Sequence, residues 1–572
     1  MQSPLKAICK SFSLAGMLSW MFERPTTAAL LAWLSVTLAC KTGADGSEDE
    51  IGNTASGSDS GDESSEASAG ESTADTTSEG ESCELGPNTT AVETTLGPIV
   101  GAIDDGVAHF LAIPYAAPPI GPLRFAPPQP AEPWTEPRDA SEFGERCVQL
   151  ALAADDPSTI GSEDCLQLNV WTPQACSGGD RPVLVFIHGG GNATGSALDP
   201  LYDGAELARR QDVVVVTLGY RLGVLGWLAR PELDAEAGRS GNYGLADQLA
   251  ALEWVQANID HFGGDPSRVT LLGESAGAVD TCAVIGSPQA QGLVDAAIVQ
   301  SGTCIQPSRA KLDQLGDEFV TNSGCAGPDL LDCLRAQPAA ELMFVSPNGF
   351  PSVGGLAPGW GPHVDGQLLP KTTLDALEAG EVGIPLVVGN NADETAKDTP
   401  PGLSEAQYVA LINATFSILA PQVLAAYPVA DYADPSDAWT HLTSDVKFVC
   451  NARRSAVASA SGGQPTWRYV FSYSGYTVVG NTPASAFHGL ELVYLFGNWA
   501  AVEFGNFEYQ PNTDDLTMRD TMMVNWALFA DTHMFAGAPY DPATDAWIQL
   551  DVNGEGGTGY RAAQCDFWDQ FQ

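Results

Sequence analysis

Short apolar runs between residues 181 and 302 predict the buried strands of a parallel sheet. Four such runs lie at 183–187, 213–216, 269–272 and 296–299. Uninterrupted apolar runs of this length are typical of strands that are covered on both faces. Between the second and third runs, apolar residues recur with helical spacing at Leu245, Leu249, Leu252, Val255 and Ile259. The alternation predicts an α/β fold with helices on both faces of a large, mostly parallel sheet.

A serine follows the third run at a predicted tight turn. Residues 273–277 read G-E-S-A-G, which has the form G-x-S-x-G, with a strand before it and a helix after it. Such a turn holds the serine backbone in a strained conformation, so its close neighbours must be glycine. The turn also pushes the hydroxyl out at the head of the helix. The pattern predicts Ser275 as a nucleophile, and the alternative is a packed surface serine.

A glycine run after the first strand, His188-Gly-Gly-Gly191, suits a loop whose main-chain amides face a substrate oxygen. Side chains in that loop would block the approach of the backbone to the substrate. We expect Gly190, Gly191 and Ala276 to donate to the oxyanion. A phosphate-binding loop is the alternative, but no G-K-S/T string follows the run.

The serine needs a base, and the chain has only seven histidines. Enzymes with this turn carry their triad in the order serine, acid, histidine. His488 fits that order, with His441 and His533 as rivals. The acid should follow another strand, and the apolar run at 385–389 precedes both Asp393 and Glu394. The residues alone do not separate these two carboxylates.

Charge and cysteine content narrow the function further. The 572 residues include 25 Lys and Arg against 72 Asp and Glu, a net charge of −47. A general nucleic-acid binder needs clustered cations, so that class is excluded. Of the 12 cysteines, ten lie beyond the N-terminal segment, and an even number in an exported chain predicts disulfides. No CxxC pair or Cys/His cluster occurs, so we expect no metal site.

The N-terminus resembles a bacterial lipoprotein signal. A basic flank and an apolar stretch at 28–39 lead to Ala39-Cys40, although Thr37 stands where Leu is usual. We expect residues 1–39 to be a signal peptide and Cys40 to carry lipid; plain secretion is the alternative, and Met21 is an alternative start. Residues 40–82, rich in Ser, Gly and acidic residues, should form a disordered tether. No uninterrupted apolar run reaches ~18–20 residues, so no ordinary membrane-spanning helix is expected.

From about Gly97 to the C-terminus the chain resembles the type-B carboxylesterases, the α/β-hydrolase branch that includes cholinesterases and bacterial para-nitrobenzyl esterases. The matching strings are FLAIPYA at 110–116, EDCLQLNV at 163–170, HGGG at 188–191, NYGLADQ at 242–248, FGGDP at 262–266 and GESAG at 273–277. The resemblance implies an α/β-hydrolase domain over 83–572. It also implies a serine esterase that needs no cofactor, acts on small-molecule esters and uses Ser275, Glu394 and His488.

The resemblance also implies structural pairs. It implies three disulfides, Cys147–Cys165, Cys325–Cys333 and Cys450–Cys565, and two ion pairs, Arg124–Glu163 and Arg221–Asp247. We add Cys282–Cys304, which would join the nucleophile helix to the loop after the fourth strand; Cys83 and Cys176 are left over.

Two positions depart from the family pattern. Thr395 stands where glycine is usual, and Asn192 stands where an aromatic residue is common; the second change is expected to alter the acyl or alcohol pocket. Choline esters are not expected, because the segment from Cys147 to Cys165 lacks the tryptophan that binds quaternary ammonium in cholinesterases.

Other functions of the same fold stay open. A lipase, or an amidase or carbamate hydrolase, would use the same triad, and sequence does not separate them because loops shape the acyl pocket. A non-catalytic surface adhesion module is the alternative from another class, but such modules have lost the nucleophile or the base. We expect an exported protein on the outer membrane or cell surface, or otherwise a secreted or periplasmic one.

Overall fold

The computed structural model describes residues 90–151, 158–173, 179–347, 359–475, 485–501 and 509–571. The predicted signal peptide, the lipid site at Cys40, the tether and the residual pair Cys83 and Cys176 lie outside these residues. The pattern of contacts divides the chain into two compact units, and residues 410–420 fall outside the larger one. The account below concerns the larger unit.

The strands are short and follow the predicted apolar runs where those were identified. In chain order they are β1 Ala91–Thr94, β2 Gly97–Val100, β3 Ala102–Asp104, β4 Val107–Pro114, β5 Arg138–Asp139, β6 Gln149–Leu150, β7 Thr159–Ile160, β8 Gln167–Thr172, β9 Arg181–Ile187, β10 Val214–Leu218, β11 Gly264–Glu274, β12 Ala296–Gln300, β13 Leu386–Asn391, β14 Thr466–Phe471, β15 Ala546–Leu550 and β16 Gly557–Thr558.

A sheet of 11 strands forms the centre of the fold, in the order β16-β15-β14-β13-β12-β11-β9-β10-β8-β4-β3. The strands from β15 to β10 in that order run parallel to one another. At one edge β8, β4 and β3 pair antiparallel, and at the other β16 does. Chemistry in such sheets occurs at the carboxyl ends of the parallel strands, and β11 ends immediately before Ser275.

Both faces of the sheet are buried, as uninterrupted apolar strands require. Side chains alternate along β9, so Val183, Val185 and Ile187 enter one core while Leu184 and Phe186 enter the other. All five are at most 1% exposed. The sheet therefore separates two hydrophobic cores that fix the strand ends on which the candidate site is built.

The helices cover these two cores or lie in the connections between strands. In chain order they are α1 Ala205–Gln211, α2 Gly223–Trp227, α3 Pro231–Ala237, α4 Tyr243–Asn258, α5 Ala276–Gly286, α6 Arg309–Ser323, α7 Leu330–Ala336, α8 Ala339–Val345, α9 Thr373–Glu378, α10 Glu405–Phe416, α11 Ala420–Ala426, α12 Pro435–Ser444, α13 Cys450–Ser461, α14 Leu490–Phe496, α15 Thr513–Thr532 and α16 Ala562–Trp568.

Helix α4 confirms the helix that the apolar spacing predicted. It packs with the nucleophile helix α5 in the core beneath one face of the sheet, whereas α14 and α15 contribute to the core on the other face. Four disulfides join the expected pairs Cys147–Cys165, Cys282–Cys304, Cys325–Cys333 and Cys450–Cys565. The second bond ties α5 to the loop after β12.

One described stretch bears on the expectation that the chain has no ordinary membrane-spanning helix. Among the described residues, the 22-residue stretch Glu405–Ala426 is long and apolar enough to cross a membrane, judged by length and composition alone. A search for uninterrupted apolar runs misses it because Gln407, Asn413 and Gln422 separate its apolar residues. Core helices of soluble proteins pass the same test, so this observation assigns no membrane topology.

Candidate active site

The nucleophile turn places Ser275 between β11 and α5 in a conformation that few residues adopt. Its φ of 58° and ψ of −122° lie outside the favoured regions for a residue with a side chain. The flanking glycines are required by space. A Cβ on Gly273 would come within 2.2 Å of the Gly277 carbonyl oxygen, and one on Gly277 within 2.0 Å of the Ile187 oxygen. The structure therefore has the sharp turn that the sequence predicted.

The glycine loop after β9 lies directly beside this turn. A Cβ on Gly189 would lie 3.0 Å from the Cβ of Ser275. Gly190 and Gly191 have φ values of 109° and 62°, which favour glycine. Within the described residues, the N–H groups of Gly190, Gly191 and Ala276 donate to no protein acceptor. The three amides predicted as oxyanion donors are thus brought to one end of the sheet and left free to donate.

Glu394 and His488 are joined by a hydrogen bond between the loop after β13 and the segment before α14. The imidazole Nδ1 lies 2.6 Å from Oε2 of Glu394. The other carboxylate oxygen accepts from the Ser301 hydroxyl at 2.6 Å and from the Asn391 amide at 2.7 Å. These bonds fix the carboxylate, which in turn fixes the ring orientation and directs Nε2 away from the acid.

The rivals left open by the sequence lie elsewhere. The carboxylate that contacts His488 belongs to Glu394, whereas burial raises the pKa of Asp393 and the charge of Arg561 opposes that shift. His441 lies 3.5 Å from Asp437 at the end of α12, and His533 ends α15. Neither rival histidine shares the Glu394 contact.

Two further carboxylates, those of Glu274 and Glu491, lie near the imidazole. Together with Glu394 we call them the acidic cluster. Oε1 of Glu274 lies 3.1 Å from Nε2 of His488. The approach is an ion pair rather than a directed hydrogen bond, since neither atom has a hydrogen-bond partner. Nε2 thus has no hydrogen-bond partner among the described residues. The ring of Phe448 covers the imidazole with centroids 4.7 Å apart.

The acidic cluster controls the charge of the imidazole. Burial by itself lowers the pKa of His488, but the charges of Glu274 and Glu394 outweigh burial and raise that pKa to about 9. Burial raises the pKa of Glu274 to about 8, although the charge of His488 opposes the shift. Burial and the charge of Glu394 raise the pKa of Glu491 to about 7. The arrangement stabilises a positively charged imidazole.

Sequence reasoning did not identify Glu274, Glu491 or Ser301 as site residues. Glu274 is the first variable position of the G-x-S-x-G motif, so the sequence shows that it lies next to the serine. The sequence does not show that it contacts His488. Glu491 follows the histidine by three residues, and its Oε2 accepts from the Asn391 side chain at 2.5 Å. Ser301 ends β12 with φ of 56° and carried no recognisable signal.

The two family departures are accommodated by buried hydrogen bonds. Thr395 is 1% exposed; its amide donates to Ser444 at 3.2 Å, and its hydroxyl lies 2.6 Å from that of Thr443. Asn192 was expected to alter a substrate pocket. Its side chain is 3% exposed and donates to Asp280, a residue of α5.

The resemblance implied two ion pairs, and the sequence predicted no metal site. Arg221 and Asp247 form a buried two-bond pair at 2.7 and 2.8 Å, and Arg124 pairs with Glu163 at 2.6 Å. Both ion pairs implied by the resemblance are present. No group of three or more His, Cys, Asp or Glu side chains in the described ranges could hold a metal ion.

A family model described as "Carboxylesterase family" matches residues 88–568. The chain belongs to the carboxylesterase family. It is 36% identical over 475 residues to the fumonisin B1 esterase of Sphingopyxis macrogoltabida, covering 81% of this chain and 85% of that protein. It is 35% identical over 509 residues to a cocaine esterase of Oryctolagus cuniculus, covering 82% and 92%.

Solved structures of esterases share the carboxylesterase fold seen in this chain. A PNB esterase structure superposes with a TM-score of 0.73 at 31% identity, covering 83% of this chain and 99% of that one. A thermophilic PNB esterase gives the same TM-score and identity. The α/β-hydrolase fold follows from this likeness, and the chain is a carboxylic ester hydrolase by its family.

Proposed function

We propose that this carboxylesterase hydrolyses carboxylic esters through an acyl-enzyme formed on Ser275. The Ser275 Oγ attacks the ester carbonyl carbon while Nε2 of His488 takes the hydroxyl proton. Glu394 holds the imidazole in the tautomer that leaves Nε2 free to accept. His488 then returns the proton to the departing alkoxide, which leaves as the alcohol. A water activated in the same way releases the acid.

The observation that carries this proposal is the Glu394–His488 hydrogen bond of 2.6 Å at the strand ends beside the strained Ser275. A buried, three-fold hydrogen-bonded carboxylate orients a ring whose second nitrogen has no hydrogen-bond partner. That is the arrangement a general base needs, because its free nitrogen must accept a proton from the nucleophile.

The tetrahedral intermediate would place its oxyanion against three main-chain amides. Gly190 and Gly191 belong to the loop after β9, and Ala276 is the first residue of α5. All three N–H groups are free of protein acceptors within the described residues, so none has to break a hydrogen bond when charge develops on the substrate oxygen. Loss of one such donor typically costs about 10²–10³ in rate.

The decisive experiment removes the nucleophile. Ser275→Ala should abolish turnover of p-nitrophenyl butyrate and covalent labelling by an organophosphonate. A matched control is Ser267→Ala, since Ser267 is an exposed serine on the same strand whose hydroxyl bonds to Asp265. The control should retain turnover and labelling. Persistence of both in Ser275→Ala would refute the assignment.

The substrate is proposed to be a small-molecule ester. The relatives' names include esterases for fumonisin B1 and for cocaine, so the family accepts dissimilar esters. A panel of p-nitrophenyl and alkyl esters with varied acyl and alcohol size would show which side of the ester the pocket selects. Activity on amides or emulsified lipids that exceeds activity on soluble esters would contradict this substrate class.

We further propose that the enzyme is exported and tethered by lipid on Cys40. Support comes from the Ala39-Cys40 string and from four disulfides, which are typical of oxidising compartments. The wild type should partition into detergent and resist salt extraction, and Cys40→Ser should release it. A wild-type protein that is freely soluble in the medium would refute the tether.

A further inference from the structure

Another buried carboxyl, that of Asp280, lies on the helix after Ser275 and bonds to side chains outside the acidic cluster. Asp280 is on α5, one turn beyond the Ser275 turn, and is fully buried. Its Oδ1 accepts from Nδ2 of Asn192 at 3.0 Å, and its Oδ2 accepts from Nε2 of Gln248 at 2.7 Å. The amide oxygens of Asn192 and Gln248 have no partner within the described residues. Both amides thus turn their nitrogens to the carboxyl and leave buried oxygens unpaired.

This network holds both ends of the glycine loop. Asn192 follows the loop directly, with φ of 56°, and its main-chain oxygen accepts from the Gly223 amide at 2.6 Å. At the other end, the Tyr220 hydroxyl donates to the main-chain oxygen of His188 at 2.9 Å and is also within hydrogen-bonding reach of Asp280. Loop movement would therefore disturb the bonds to Asp280.

The same helix carries the third oxyanion amide. Ala276 begins α5 and Asp280 follows it by four residues, so both lie on one rigid element. The bond from Asn192 to Asp280 is consequently a direct link between α5 and the loop that contains Gly190 and Gly191. The spacing of the oxyanion donors depends on how these two elements are held together.

We propose that Asp280, acting through Asn192, is a positioning residue that sets the geometry of the oxyanion hole by fastening the glycine loop to the nucleophile helix. The inference rests on the proposed esterase function. Asp280 does not touch the substrate. It keeps the Gly190 and Gly191 amides at the distance from Ala276 at which all three donate to one oxygen, and the ionised carboxylate does this because it accepts at both oxygens.

The ionisation of Asp280 is sensitive to pH near neutrality. Burial raises its pKa to about 7, and the hydrogen bonds from Asn192, Gln248 and Tyr220 oppose the shift. When the carboxyl is protonated, one oxygen becomes a donor and an amide bond is lost. Other titratable or charged groups on the surrounding elements are His188, which stacks on Tyr220, Glu274 on β11, Asp247 on α4 with its partner Arg221, and Asp375 and Glu378 on α9.

The test compares two variants of Asp280 that keep its size. Asp280→Leu removes the acceptor, so kcat for p-nitrophenyl butyrate should fall about 10- to 100-fold. KM should stay within about threefold, because oxyanion contacts form in the transition state. Phosphonate labelling should slow in parallel. Asp280→Asn keeps an oxygen that accepts from Asn192, so its kcat at pH 8 should stay within about fivefold of wild type.

A pH profile separates positioning from simple packing. In wild type, log kcat/KM should rise with slope two below pH 7, where Asp280 and His488 both carry a proton, and with slope one from pH 7 to about pH 9, where His488 loses its proton. Asp280→Asn should show slope one throughout. Asp295→Asn is the matched control, since Asp295 accepts from the Val269 amide in the middle of β11, five residues before its carboxyl end, and the substitution should leave the profile unchanged.

Asn192→Leu removes the same Asn192–Asp280 hydrogen bond by changing the residue of the glycine loop. It replaces Asp280→Leu in the test if that variant does not fold. Its kcat loss should match that of Asp280→Leu, and the double variant should be no worse than either single variant. Unchanged kcat in both single variants, additive losses, or a rise in KM alone would overturn the inference while wild-type turnover upholds the esterase. Absence of turnover and labelling in wild type would refute both.

Discussion

Buried carboxyl groups near Ser275 are stabilised in two different ways, one beside His488 and the other beside the glycine loop. On the base side, the acidic cluster surrounds His488, an imidazole that can carry a positive charge. On the oxyanion side, Asp280 is held by two side-chain amides that carry no charge. Burying an ionised carboxyl is costly unless it is paired or hydrogen bonded, and the two sides of Ser275 use these two solutions separately.

The difference corresponds to what each side must do in the reaction. In the proposed mechanism His488 gains and loses a proton in every cycle, so its surroundings must stabilise the charged form through nearby charges. The oxyanion donors must not move, and fixed dipoles around Asp280 serve that purpose without a mobile counter-charge. A charge change is supported by opposite charges, whereas a fixed geometry is supported by directed hydrogen bonds.

The largest expected loss of activity comes from a substitution next to His488. Glu394→Gln keeps the shape of the side chain but removes the charge that stabilises the imidazolium, so kcat for p-nitrophenyl butyrate should fall by about 10³–10⁴ with KM changed only a few-fold. Asp393→Asn, which alters the adjacent carboxyl, should cost less than about tenfold. Equal losses in the two variants would show that the hydrogen bond to His488 is not decisive.

A second prediction concerns stability on the oxyanion side. The folded pKa of Asp280, about 7, is higher than the usual aspartate value of 3.8, so between these pH values the folded state holds a proton that the unfolded state has released. This residue therefore lowers the unfolding free energy as pH rises through that window, by about 4 kcal/mol in all.

Asp280→Asn lacks this titration. Relative to wild type, its unfolding free energy should be larger at pH 8 than at pH 5 by about 3 kcal/mol, because about two pH units of the titration window lie above pH 5. Urea unfolding at both pH values, with disulfides intact, measures the difference. Asp295→Asn provides the comparison for loss of a carboxyl remote from the site. An equal variant-to-wild-type difference at pH 5 and pH 8 would contradict the raised pKa.

The smallest expected effect is a shift of the pH–rate profile when one carboxylate of the acidic cluster is neutralised. The charge of Glu274 raises the pKa of His488, and a base with a raised pKa stays protonated to higher pH. Glu274→Gln should therefore move the His488 limb of the pH–rate profile to lower pH by about one unit. Profiles of kcat/KM from pH 6 to 10 measure the shift. A limb that stays in place would show that Glu274 does not set the charge of His488.

Much of the sheet could be predicted because its strands are short apolar runs. The runs at 183–187 and 296–299 lie within β9 and β12, and the run at 269–272 lies within β11. Strand β11 also extends back to Gly264, with a register shift before Val269, where the sequence indicated only a turn. The antiparallel edge was not predicted, because β3 and β4 are stabilised by their partners rather than by a distinctive pattern.

The sequence by itself determined the nucleophile turn and the glycine loop, since both follow from steric constraints between residues close in the chain. A Cβ at Gly273 or Gly277 meets backbone within 2.2 Å, and only glycine avoids that contact. The choice between Asp393 and Glu394 was different. It depended on which carboxylate reaches an imidazole 94 residues away from Glu394, which the residue pattern could not show.

Only the tertiary structure decided which buried acids act together. Asn192 and Asp280 are 88 residues apart, and Asn391 and Glu491 are 100 residues apart. A hydrogen bond between such residues forms because the strands and helices that carry them are packed together by two hydrophobic cores. Local sequence can fix a backbone turn, but the partner of a buried charge is set by the elements that the whole fold brings beside it.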